Sequence, residues 1–139
     1  MIMTQDENDL LLKDICGRLP YNPMVEYKGE IYNVLGITHG RLVLCKPFMS
    51  YTLDEYPLVK EVKLYLFPIS SLTEEQLHQW RDEWWDDLAM CVEVNYPKSE
   101  EFQVLAHSKS IEWLNKRHID YRGLIEKGLA IDATGLNIY

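Results

Sequence analysis

The stretch "MVEYKGEIYNVLGITHGRLVLC", residues 24 to 45, limits the possible folds of this chain more than any other. It holds three β-rich runs separated by Lys28-Gly29 and His39-Gly40, each a two-residue connection with glycine second. Such pairs suit the tight turns of hairpins, so the spacing predicts an antiparallel meander. By alternation Ile31, Asn33, Leu35 and Ile37 share one face of the middle run, and Tyr32 and Val34 the other. A strand apolar on both sides belongs at the centre of its sheet. A sheet of three or four strands needs helices over at least one face, so the expected class is α+β, with room for the meander to curl toward a small barrel.

The flanking segments supply those helices. A first helix is expected over residues 8 to 18, capped by Asp6 or Asn8, with Leu11, Ile15 and Leu19 inward and Gly17 and Pro20 at its end. Pro47, Pro57 and Pro68 interrupt the next stretch, which reads as loop and then an extended or single-turn piece near Val59 to Phe67. Thr73 and Gln76 form a capping box, with Leu72 and Leu77 placed to staple across it, and the helix it starts should bury Leu77, Trp80, Trp84 and Leu88. The pattern fades from Glu93 to Ser99. A third helix then carries His107, Ile111, Leu114 and His118 on one stripe, with Glu112 and Lys116 paired on its wet side. Asp120 has the right type to cap a short last helix, with Ile119 and Leu124 as its staple and Gly128 as a left-handed stop that returns Leu129 to Leu124.

A chain of 139 residues fits one domain, 1–139, and its 47% hydrophobic and 26% charged content is ordinary for a globular protein. Cys16, Cys45 and Cys91 are odd in number and widely spaced, which suits a reducing compartment. The first residues place acids where a secretion signal needs positive charge, and no run approaches the ~18 apolar residues of a membrane span. A cytoplasmic protein without membrane contact is expected.

The sequence contains no phosphate loop, dinucleotide fingerprint, zinc-protease helix, nucleophile elbow or calcium loop. His78, Asp82 and Asp86 step down one helix face every four residues, but a third ligand at any ion they shared must come from elsewhere, and their spacing equally describes a solvated face opposite Trp80 and Trp84. Neither a metal nor a cofactor is expected. His118, Asp120 and Arg122 are the residues an enzyme of unfamiliar type would use, although helix-junction grammar explains the same run.

Charge is unevenly distributed. The net is -8, and residues 74 to 101 hold nine acids against Arg81 and Lys98, whereas 108 to 127 hold five bases against three acids. Within "RDEWWDDL", Asp82 opposes Asp86 and Glu83 opposes Asp87 four residues apart, which costs helix stability. Simple solubility accounts for such a run; the functional alternative is an aromatic and acidic binding patch of Asp82, Glu83, Trp85, Asp86 and Asp87. Direct nucleic-acid binding is not expected, because only Lys116, Arg117, Arg122 and Lys127 offer a small basic face.

The phrases "LLLKDICGRLPY", "GEIYNVLGI", "YLFPISSLTEEQ" and "WLNKRHIDYRGLIEKGLAID" together resemble a family of small proteins met in prophages and other mobile elements of gut Bacteroidales. The resemblance implies a cytoplasmic accessory protein of phage-like origin, and it brings no reaction, cofactor or catalytic residue with it. Three functions stay open: a non-enzymatic module for an unidentified protein partner, an acidic decoy imitating DNA, and an enzyme centred on His118, Asp120 and Arg122. The oligomeric state is open as well.

Overall fold

Thr4 opens the first helix, α1 (Gln5–Arg18): its hydroxyl accepts the Glu7 amide and the Glu7 carboxylate accepts the Thr4 amide, each at 3.1 Å. The computed structural model describes residues 3–47, 52–80 and 110–139. A reciprocal capping box satisfies two otherwise free backbone donors, which is why Thr4 takes the role expected of Asp6 or Asn8 and the helix starts earlier than residue 8. Leu11 and Ile15 are fully buried as their spacing requires, and Pro20 lies in a single 3₁₀ turn beyond the helix end.

The meander forms as β1 (Met24–Tyr27), β2 (Glu30–Thr38) and β3 (Arg41–Cys45). Lys28, Gly29, His39 and Gly40 all have positive φ, the conformation that turns a strand back on itself with the correct twist. β2 is central to the three, and β1 pairs on its other side with β4 (Lys63–Pro68). After the helical residues 74–80 (α2) and 110–116 (α3), two short strands, β5 (Ile119–Asp120) and β6 (Ala130–Asp132), each run parallel to β4. The class is therefore α+β, with an open sheet in the order β3-β2-β1-β4-β5 and β6 also on β4; the curl into a barrel is not found.

Register assigns the faces. Val25 opposes Tyr32 and Val34 opposes Leu44, and these side chains pack with Leu11 and Ile15 of α1 into the main core. A bulge between Val34 and Gly36 breaks the expected alternation: Leu35 is 52% exposed, while Ile37 moves to the inner face and packs on the core. On the other face Met24, Tyr65 and Ala133 form a second cluster under the last residues of the chain. A third joins Trp113, Leu114 and Ile119, with Trp80 and Leu72 against it.

The capping box of α2 is present in both directions, Thr73 to Gln76 and back. Leu77, expected to point inward, is 38% exposed. Trp84, Leu88, Cys91 and His107 lie outside the described residues. Among the described residues no helix is long and apolar enough to cross a membrane.

Candidate functional site

The apolar stripe of α1 carries a charged pair. Asp14 and Arg18 are four residues apart on the same face as Leu11 and Ile15, and both side chains are fully buried. Arg18 donates from Nε to Asp14 Oδ2 at 2.8 Å and from Nη2 to Oδ1 at 3.2 Å. Its Nη2 also donates to the Ile119 carbonyl at 2.6 Å, which fastens α1 to β5. Arg122 reaches the same carboxylate, Nε to Asp14 Oδ1 at 3.1 Å, so two guanidinium groups share one buried acid. Tyr121 packs its ring against both, with centroids 5.2 and 4.9 Å away, and donates its hydroxyl to Asn115. Gly17 suits this close packing: a Cβ there would stand 3.2 Å from the Asn115 side-chain nitrogen, tighter than ordinary contact.

His118 stands where α3 ends. Its amide donates to the Asn115 carbonyl, its φ of 59° turns the chain, and its carbonyl accepts the Phe67 amide to start β5 beside β4. Left-handed backbone is uncommon outside glycine, but histidine is among the residues that tolerate it. The ring is 7% exposed and stacks on Tyr139, centroids 3.6 Å apart and planes within 10°. Burial, aided by the Arg18 charge, pushes the imidazole down to about 4, so it is neutral at physiological pH. Among the described residues, His118 Nδ1 and Arg18 Nη1 are buried without a hydrogen-bond partner.

Asp120 holds the junction that follows. Its Oδ1 accepts the amides of Arg122 and Leu124, and its Oδ2 that of Ile125. The segment closes as expected at Gly128, whose amide returns to Ile125 while the Leu129 amide returns to Leu124, the double bond pattern of a left-handed helix stop. The residues between are a run of turns rather than the expected short helix. Three amides converging on one carboxylate replace the regular helical ladder.

Beside this junction an open groove of about 660 Å³ lies between Ser71–Gln76, the end of α3 and Tyr139. Phe67 and Leu72 give it apolar walls, and Lys116, Arg117 and His118 its polar side. The Arg117 guanidinium sits 4.0 Å above the Trp113 ring.

The candidate residues thus divide. His118, Asp120 and Arg122 are near in sequence but serve different partners: a stack, three backbone amides, and Asp14. His78 is exposed on α2, while Asp82 and Asp86 lie outside the described residues, as do Glu83, Trp85 and Asp87 of the acidic patch. No group of three or more metal-capable side chains occurs among the described residues. Sequence reasoning missed Asp14, Arg18 and Tyr139. The first two were signalled by an acid and a base four apart inside an apolar stripe; Tyr139 had no local pattern.

No protein-family model matches the chain, and neither does any curated protein or solved structure.

Proposed function

We propose that the chain is a non-enzymatic interaction module, an accessory protein of phage or mobile-element origin that acts by binding another protein. The observation that supports this reading is the internal engagement of the Asp120 and Arg122 side chains. A general base or an electrophilic guanidinium must face a substrate, whereas Asp120 faces three backbone amides and Arg122 faces Asp14. The uneven charge adds a reason for binding: residues 74 to 101 hold nine acids against two bases, a run of negative charge that attracts a basic partner.

The test is capture of the tagged full chain from its own host cells, followed by reconstitution of the complex from purified components. A single protein recovered at fixed stoichiometry is expected. Its association should weaken with added salt and with Asp86→Asn combined with Asp87→Gln. A retained metal or small molecule with no protein partner would count against the proposal.

A further inference from the structure

We propose that the groove between the start of α2 and the end of α3 binds a small organic acid, its carboxylate held by Lys116 and Arg117 and its apolar body against Phe67, Leu72 and Tyr139. This site is independent of the protein-partner reading above.

The lining runs against the charge of the molecule. The chain carries a net of -8, yet the described residues that line the groove include Lys116 and Arg117 and neither Asp nor Glu, Glu74 and Glu75 of α2 falling outside the lining. Neither cation is in an ion pair among the described residues, where the salt bridges fall to Arg18, Lys28, Lys46 and Arg122. The Arg117 guanidinium lies 4.0 Å above the Trp113 ring, a cation–π contact that favours this placement, and among the described residues it makes no hydrogen bond. A planar fork so placed suits a carboxylate.

The rest of the lining selects what carries that carboxylate. A volume of about 660 Å³ falls within the ~300–1,000 Å³ of small-molecule sites. Phe67, Leu72 and the face of Tyr139 would be left uncovered by a bare oxyanion such as phosphate, whereas an aromatic or aliphatic acid covers them. His118, 7% exposed, also lines the groove, and its neutral ring adds no third positive charge. Two cations and one neutral imidazole favour an anion of low charge.

Basic residues at the end of α3 also suit the negative end of a helix dipole, and the experiment separates the two roles. Backbone amide shifts of the full chain are followed during titration with 3-phenylpropionate, with its charge-inverted counterpart 3-phenylpropylamine, and with inorganic phosphate. Saturable shifts at Phe67, Leu72 and Tyr139 are expected with 3-phenylpropionate alone, weakened at least tenfold in the Lys116→Gln, Arg117→Gln double variant. A helix-dipole role alone would lower the thermal midpoint without any such binding to lose. Should the double variant be poorly folded, Lys116→Gln, at an exposed position, must still weaken binding severalfold. Equal binding of the amine, phosphate binding as well as 3-phenylpropionate, shifts located elsewhere, no saturable shift, or unchanged affinity in the variants would each overturn the site.

Discussion

Tyr139 donates its hydroxyl hydrogen to the Tyr65 carbonyl at 2.8 Å, and the same oxygen accepts the Met24 amide at 2.9 Å. β1 and β4 pair at Val25 and Leu64, and Met24 and Tyr65 are the next residues along each strand. The phenol therefore stands in the ladder at the rung where the two strands part. Burial of the hydroxyl raises its pKa far above the usual tyrosine range, so it stays protonated and a donor at any ordinary pH.

Removing that oxygen should be costly for its size. Tyr139→Phe keeps the ring and its stack on His118 but leaves a buried N–H and a buried C=O facing a gap, a loss of about 1–3 kcal/mol. The denaturant midpoint should fall accordingly, and hydrogen exchange at the Met24 amide should accelerate. A midpoint unchanged from the parent would mean that strand and tyrosine separate without penalty.

Acid should weaken the fold through His118. Its folded-state value is about 4 against about 6.5 for the free side chain, so the unfolded chain binds the extra proton between those pH values. Stability from this group is complete above pH ~6.5 and is lost as pH falls toward ~4, amounting to roughly 3 kcal/mol at most. His118→Asn keeps a residue tolerant of left-handed backbone and removes the titration. The slope of unfolding free energy against pH over that window should be flatter in the variant; parallel slopes would contradict the assignment.

Asp120 should matter more than an ordinary helix cap, for which ~1 kcal/mol is usual. Its carboxylate takes three amides rather than one, so Asp120→Ala should cost on the order of 2–4 kcal/mol. Serine carries one oxygen and cannot reach all three donors, so Asp120→Ser should recover less than half of the loss in urea unfolding. Full recovery with serine would show that one of the three bonds carries the whole effect.

The buried charges on α1 give an asymmetric expectation. Asp14→Ala strands two guanidinium groups and should cost ~3–5 kcal/mol, whereas Arg18→Met leaves Asp14 still paired with Arg122 at 3.1 Å and should cost less. In a double-mutant cycle the two changes should be clearly less than additive. Equal single costs would argue that Arg122 contributes nothing to holding Asp14, and simple additivity that Asp14 and Arg18 are not coupled.

Much of the architecture is legible in local chemistry. Lys28-Gly29 and His39-Gly40 mark the meander, Thr73 and Gln76 mark the start of α2, and Gly128 marks the last turn, because each of these acts on its own neighbours. The misreadings arise where one extra residue or a distant partner decides. A bulge at Leu35 reverses the facing of Ile37, and alternation cannot announce it in advance. β5 and β6 are two and three residues long, too short to carry a period, and are strands only because β4 offers them an edge. The site follows the same division. Asp120 was readable as a cap, but that Arg122 turns to Asp14, or that Tyr139 covers His118, depends on chain segments about 100 and about 20 residues away.

β4 joins early and late parts of the chain, and this shapes the order in which the molecule assembles. The hairpins of β1 to β3 close over two-residue turns, contacts that form within microseconds. The parallel partners of β4 arrive only when Ile119, about 50 residues downstream of Phe67, and Ala130 reach it. Closing such a loop costs entropy before any of its contacts are gained, so the C-terminal segments join last and leave first. The groove and the His118–Tyr139 stack belong to that late-joining part. They exist only in fully assembled molecules, and a binding measurement at the groove therefore doubles as a reporter of complete folding.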